Sequence, residues 1–428
     1  MNKVAVNTNV LRWAVDRSGR SLDNLASRLP RIREWATGEV QPTLRQLETL
    51  AKVTSTPLGF FFLAEPPEER LPVPYFRTVR SDTPERHSPD LLDTIQMMQQ
   101  RQGWMREFLI EEGHDRLNFV ASARVGEQHT SVAERMREVL GVHADWASSY
   151  RTWTDALDAL REAIDEAGIL VVVNGVVGNN THRKLDPSEF RGFVLVDEHA
   201  PLLFVNGADG KAAQMFTLAH ELAHVFFGSS AAFDLRQLMP AEDTTEQACN
   251  QVAAEFLIPE RLLRQVWPSV PDDPDRFQVM AHRFKVSELV VARRALDLGL
   301  IEREAFFAFY NSYQTDERRA AAQQPQGGDF YANQNRRIGQ RFAKAVVRAV
   351  REDKLLYSEA YRLTGLYGKT FDEYAAMLRI GGLRRLYIFS ESGTIKASAE
   401  VSVFRSGRAP SVRALPCFDA GDAPASWS

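Results

Sequence analysis

The sequence predicts an α+β fold, mostly helical with one small sheet, preceded by a small all-helical unit. Three observations carry this. Apolar residues recur at helical spacing through most of the 428 residues. Apolar, β-branched runs are confined to one stretch, 169–205. A segment with six prolines, residues 64–90, sets the first 63 residues apart.

In chain order, residues 9–16 and 22–29 have helical apolar spacing, with Ser21 placed to cap the second helix. Residues 38–42, Gly-Glu-Val-Gln-Pro, read as a turn. Residues 43–53 put Leu44, Leu47, Leu50 and Ala51 on one helix face, and an apolar cluster at 56–63 closes the unit. The Pro-rich stretch 64–90 reads as a linker or an extended arm. Helices are expected at 89–112, 131–140 and 154–167, the last ended by Gly168. Strands are expected at 169–173, 190–196 and 201–205. Helices return at 210–227, 245–258 and 259–266, then as two short ones within 278–300. Residues 321–329 read as a boundary, with helices at 339–350 and 355–363 beyond it. Residues from about 382 turn β-like, then small and Pro/Ala-rich. The domain reading is therefore 1–63, a linker or arm at 64–90, a main domain at 91–320, and a basic C-terminal region at 321–428.

Composition excludes several classes. With 44% hydrophobic and 25% charged residues, the chain reads as an ordinary globular protein. The longest apolar runs, such as 170–173 and 60–63, are far too short for a bilayer, so no membrane association is expected. The start, Met-Asn-Lys-Val, lacks a secretory pattern, and two cysteines, Cys249 and Cys417, make no disulfide framework. A cytoplasmic location is the expectation. The net charge of −4 conceals an asymmetry. Residues 1–57 carry nine Lys/Arg against five Asp/Glu, and 330–428 carry sixteen against nine. That leaves 27 against 42 for the middle. Basic ends suit either nucleic acid or docking on the acidic centre.

The chemistry concentrates at Ala219-His220-Glu221-Leu222-Ala223-His224. On a helix, positions i and i+4 share a face, so His220 and His224 can hold one metal ion, with Zn2+ the expected cofactor. Glu221 lies one residue round the helix. It is placed to act as general base on a water molecule that the metal acidifies. The apolar residues on both sides, Met215 to Leu218 and Val225 to Phe227, make this a core helix. A catalytic site needs a third protein ligand and one open position. Phe227 and Ser230 stand where a longer His-containing version of the motif needs Gly and His. The third ligand therefore comes from elsewhere. Glu246, at the start of the next helix, is the best candidate, with Glu242, Asp243 and Glu255 as rivals. Asn250, one turn on from Glu246, is placed to orient a ligand. Cys249 reads either as a small buried residue or as a redox-sensitive ligand.

These residues, together with Glu246-Gln-Ala-Cys-Asn250 and the run to Pro259, resemble the ImmA/IrrE family of zinc metallopeptidases. The resemblance covers about 165–305. It implies a zincin-like, gluzincin-type core with Glu246 as third zinc ligand, and helix-turn-helix-like helices after it. The departures are Cys249, where Ala is usual, and Val252, where Phe is usual; neither removes a ligand. The resemblance also implies a protein substrate, a repressor or antitoxin, whose cleavage controls gene expression, a stress response or a toxin–antitoxin pair.

Leu25-Ala26, Trp35, Gly38-Glu39, Pro42-Thr43 and Leu47 resemble an Xre-type helix-turn-helix. Arg28, Arg31 and Arg33 fall where DNA contacts would be made. Only eight residues separate Ala26 from Trp35, and Pro30 is among them. The usual pattern has about four more, carrying the turn and much of the recognition helix. The unit then serves either DNA binding or dimerisation and target holding, which leaves a homodimer possible. Residues 173–185 read as a Gly/Asn-rich loop at the rim of the cleft, with His182 or Arg183 as a candidate oxyanion donor. Residues 201–205 read as the edge strand that would pair with an extended substrate. The function these features imply is zinc-dependent endoproteolysis of a regulatory protein. The alternative is a DNA-binding regulator or antitoxin with a structural or sensory zinc.

Overall fold

The computed structural model describes residues 3–69, 75–76, 87–229, 231–233, 244–271, 275–315, 330–378, 384–389 and 395–401. The chain divides into two compact units, Met1–Leu366 and Tyr367–Ser428. The architecture is mostly helical with a small sheet, as the α+β expectation requires.

Helices α1 (Thr8–Arg17), α2 (Leu22–Ala26), α3 (Ile32–Thr37) and α4 (Leu44–Val53) open the chain. Ser21 caps α2 through the Asn24 N–H, and Thr43 with Gln46 forms a capping box on α4. Val10, Leu11, Ile32, Leu47, Leu50 and Phe61 meet in one small core. A 3-10 turn, Leu58–Phe62, ends this part. Arg17, almost fully buried, ties this core to later residues of the chain through Glu69 at 2.6 Å and Asp93 at 3.8 Å.

The sheet has five strands in the order β1-β7-β5-β6-β2. These are β1 (Tyr75–Phe76), β2 (Leu170–Asn174), β5 (Gly192–Leu195), β6 (Leu202–Asn206) and β7 (Ala231–Phe233). β2 runs parallel to β6, β5 antiparallel to both β6 and β7, and β1 parallel to β7. The central strands are buried on both faces, which explains why they read as continuous apolar runs. The expectation that 201–205 forms a free edge is corrected. β6 is hydrogen-bonded on both sides, to β2 and to β5, so its backbone groups are already used and none is left for a substrate strand. The outer edge beside β5 is taken by β7, and beyond it by Tyr75–Phe76 of the Pro-rich segment.

Helices α5 (Pro89–Glu111), α6 (His129–Leu140), α7 (Trp153–Glu166), α8 (Lys211–Phe227), α9 (Thr244–Leu257) and α10 (Glu260–Val266) build the main layers. α8 lies on β5 and β6 and against α7 and α9. α6 also packs on α9. The shared core runs from Val132 and Leu160 through Leu218 and Leu222 to Phe256 and Phe284. Helices α11 (Arg276–Phe284) and α12 (Glu288–Asp297) are the two short helices expected within 278–300. Four described helices go beyond the expected set: α3, α13 (Arg303–Thr315), α14 (Phe330–Ile338) and α17 (Gly368–Met377). Between the last two come α15 (Gln340–Arg351) and α16 (Tyr357–Thr364). α14 lies on β2, and α5 anchors the region through Arg101, which donates to the carbonyls of Leu363 and Arg337, both at 2.9 Å. In the second unit, β8 (Arg384–Phe389) and β9 (Ile395–Val401) pair as an antiparallel hairpin. No helix among the described residues is long and apolar enough to cross a membrane.

Residues 176–184, expected to be loop, form a hairpin of β3 (Val176–Val177) and β4 (Asn180–Lys184). Its outer strand is exposed and polar, so it carries no alternating apolar signal.

Candidate active site

α8 is buried along almost its whole length: every residue from Gln214 to Phe226 is shielded from solvent. Its apolar residues meet the sheet on one side and α9 on the other. Gly228, at φ +73, ends it in a left-handed turn, with its N–H donating to the carbonyls of His224 and Val225. This stop falls one turn after His224.

Within this helix His220 and His224 stand one turn apart, their Nε2 atoms separated by 3.1 Å. α9 brings Glu246 to them from its first turn. Oε2 lies 3.2 Å from His220 Nε2, and Oε1 lies 3.0 Å from His224 Nε2. The three ligand atoms lie within 4.8 Å of one another, and all three residues are buried. Burial holds the His220 imidazole toward its neutral form, the state that binds a metal. Burial alone would raise the Glu246 carboxyl, but hydrogen bonds from both imidazoles outweigh it and bring the pKa to about 2. Asn250 reaches His220 with its side chain, one turn along α9 from Glu246. The donor set fits a divalent metal: two imidazoles and a carboxylate converge in a dry pocket.

Glu221 is fully buried, and neither carboxylate oxygen has a hydrogen-bond partner among the described residues. Burial first, and the charge of Glu246 second, push its pKa well above the ordinary carboxyl value. An unpartnered buried carboxylate is costly. It lies close enough to Glu246 for the two charges to interact, beside three converging ligand atoms.

Other candidates lie elsewhere. Glu255 is paired with Arg294 of α12, and its oxygens accept the Glu260 N–H at 3.2 and 3.3 Å, so it is no rival ligand. Glu242 and Asp243 lie outside the described residues. Cys249 is fully buried in the core and takes no part in the His220–His224–Glu246 cluster. Arg183 is spent on Asp90 and Asp93 of α5, at 2.6 and 2.7 Å. His182 is exposed on the outer strand of the hairpin. Arg183 thus ties the hairpin to α5. Of the three arginines placed for DNA, Arg31 pairs with Glu34 at 2.9 Å and Arg33 pairs with Asp23, while Arg28 is exposed. The helix they border, α3, has six residues, about 9 Å of helix.

One residue of the site was invisible in the sequence. Gly192 of β5 lies against Glu221, so that a Cβ there would stand 3.0 Å from Oε1. The only available signal was a glycine inside an apolar strand, which marks close approach without saying of what.

A helix carrying two histidines and a glutamate, completed by a carboxylate from the next helix and backed by a small mixed sheet, defines a metallopeptidase core. Residues 164–296 match the family Peptidase_M78, described as the IrrE N-terminal-like domain. The match spans β2 to β7 and α8 to α11, and supports a peptidase of the IrrE/ImmA kind. Residues 338–377 match a domain of unknown function, DUF8813. No curated protein is significantly similar to the chain.

Proposed function

We propose that the protein is a zinc-dependent endopeptidase that cleaves a regulatory protein. The observation that carries this is the convergence of His220, His224 and Glu246 beside the unpartnered Glu221 carboxylate. His220, His224 and Glu246 would hold the ion, and Asn250 would orient His220. When bound, zinc supplies Lewis-acid polarisation of the scissile carbonyl and acidifies a water molecule. Glu221 takes the proton of the attacking water on one carboxylate oxygen. It then delivers that proton to the leaving amine nitrogen. A carboxyl whose pKa is raised by burial is suited to both steps. The walls of α8, α9 and β5 keep other water from the carboxylate.

Among the described residues the cluster offers three protein ligands, one fewer than a structural zinc takes, which favours catalysis. This sets the peptidase reading above that of a DNA-binding regulator with a sensory metal. The pairing of Arg31 and Arg33 with carboxylates points the same way. The substrate class, a repressor or antitoxin, rests on resemblance to the ImmA/IrrE family.

The test is metal content and hydrolysis of a decapeptide library, read by mass spectrometry, for wild type, Glu246→Ala and Glu221→Gln. One zinc per chain is expected in wild type and in Glu221→Gln, and a large loss in Glu246→Ala. Hydrolysis is expected from wild type alone. Wild-type protein that takes up no zinc after reconstitution would sink the reading.

A further inference from the structure

We propose that Gly192 is a positioning residue for the base. The notch left by its missing side chain seats the Glu221 carboxylate against β5. A side chain there would move the base without moving the metal ligands. The inference rests on the peptidase reading and goes beyond it, because the motif alone does not say what holds Glu221.

The backbone conformation of Gly192 is not the reason for glycine. It sits in register between Val205 of β6 and Phe233 of β7, in ordinary strand conformation. Space is the reason. A Cβ built on Gly192 would lie 2.5 Å from Thr217 Cγ2, 2.8 Å from the Phe204 carbonyl oxygen and 3.0 Å from Glu221 Oε1. The first and third belong to residues one turn apart on α8, and the second is backbone that cannot swing aside. α8 therefore approaches β5 at this point as closely as a bare backbone permits.

What occupies the notch is unusual. Thr217 and Glu221 are both fully buried, and the Thr217 hydroxyl and both Glu221 oxygens have no hydrogen-bond partner among the described residues. With no hydrogen bond from those residues to hold it, the carboxylate is placed by packing, and the bare backbone of Gly192 leaves the room it occupies there. The ligand atoms are held differently: the two Nε2 atoms and the Glu246 carboxylate converge within 4.8 Å, where one ion would bind all three. The three nearest contacts of a methyl group at 192 include the base and none of the three ligand residues. A displacement of about 1 Å in a general base is enough to cost about 100-fold in rate.

The experiment compares zinc-loaded wild type with Gly192→Ala in three measurements: zinc stoichiometry, crystal structure, and hydrolysis of the decapeptide library. The expected result is one zinc per chain in both, and a Glu221 carboxylate displaced by about 1 Å or more with superposed ligands. kcat should fall by about 100-fold while KM stays within about threefold. A carboxylate that stays in place, or a wild-type kcat, overturns the proposal. So does zinc lost in proportion to activity, which would make Gly192 a packing residue only. If Gly192→Ala does not fold, Gly192→Ala with Thr217→Ser removes the nearest contact and is read the same way. Failure of both to fold overturns the proposal too, since the fold would then need Gly192 irrespective of the base. Were zinc-loaded wild type to cleave nothing, the peptidase reading would fail while the crystal structures still decided where Glu221 sits.

Discussion

Arg294 of α12 and Glu255 of α9 form an ion pair with side chains only 4% and 7% exposed. Arg294 also donates to the carbonyl of Ile258 at 3.2 Å, just past the end of α9. Arg137 of α6 donates to the Glu255 carbonyl at 2.5 Å and lies over the Phe256 ring. Two arginines from two helices thus close the C-terminal end of the helix whose first turn carries Glu246. Cations there also answer the helix dipole.

Removing one partner of such a pair leaves a buried charge, which costs about 3–5 kcal/mol. Arg294→Ala is expected to destabilise the main domain by that amount, read in urea unfolding. Arg294→Met with Glu255→Leu should cost less than the single change, because both partners of the pair go together and Arg137 keeps the backbone carbonyl of residue 255. A single variant within about 0.5 kcal/mol of wild type would show the pair to be dispensable.

The same pair shows what the sequence could and could not tell. Glu246 and Glu255 are nine residues apart on one helix, which places them about 180° apart around its axis. Only one of them can face α8, and that much was legible. Which one does depends on α6 and α12, and the arginines that claim Glu255 lie 118 and 39 residues away in the chain. The two histidines were legible because i and i+4 is a local rule. Gly192 was not, because its meaning lies in Thr217 and Glu221 on another element. The 176–184 hairpin was missed because Asn-Thr-His-Arg-Lys on its outer strand has no buried face to alternate with. The Pro-rich segment gave no hint that Tyr75–Phe76 would join the sheet, since a two-residue strand has no period.

Asp165, near the end of α7, should shape stability against pH. Burial is the main cause that raises its pKa from 3.8 to about 6, against the pull of Arg341, Arg161 and Lys344. A folded pKa above the unfolded one means that the folded state binds the proton more tightly. Its contribution is fully present below about pH 3.8 and is lost as pH rises through about 6. At neutral pH the ionised group is therefore a cost, about 1–2 kcal/mol after allowing for its partial exposure. Asp165→Asn keeps an acceptor for the Arg341 N–H, now 3.1 Å from the carboxylate. The variant should match wild type near pH 4 and exceed it above about pH 6.5, in urea midpoints measured across that window. A constant offset at every pH would rule out titration as the cause.

Gly228 and Ala121 meet one turn past His224. A Cβ on Gly228 would lie 2.6 Å from the Ala121 Cβ, at a φ of +73 that disfavours any side chain. Ala121 is itself left-handed, at φ 55, and its N–H donates to the Val225 carbonyl at 3.0 Å. Gly228→Ala should cost about 2–3 kcal/mol from strain and overlap together. Ala121→Gly in that background should restore part of the loss, because it removes the opposing methyl and relaxes its own φ. A double-mutant cycle is the check, and strict additivity would mean that the two positions do not touch.

Metal removal gives the last expectation. Without an ion, two imidazoles, two carboxylates and the Thr217 hydroxyl share a site that water does not reach. A ligand that binds only the folded state adds RT ln(1 + [L]/Kd), about 2.7 kcal/mol at 100 times Kd. Zinc added to chelator-stripped protein should therefore raise the melting temperature by several degrees, in proportion to the logarithm of free zinc. Glu246→Ala should abolish the dependence, since it deletes the carboxylate that closes the ligand set. Glu221→Gln should keep it, because the base holds no ion, and Gly192→Ala should keep it for the same reason. A zinc-dependent rise that survives Glu246→Ala would place the ion outside this cluster. The differential between Glu246 and Glu221 would thus separate holding the metal from using it.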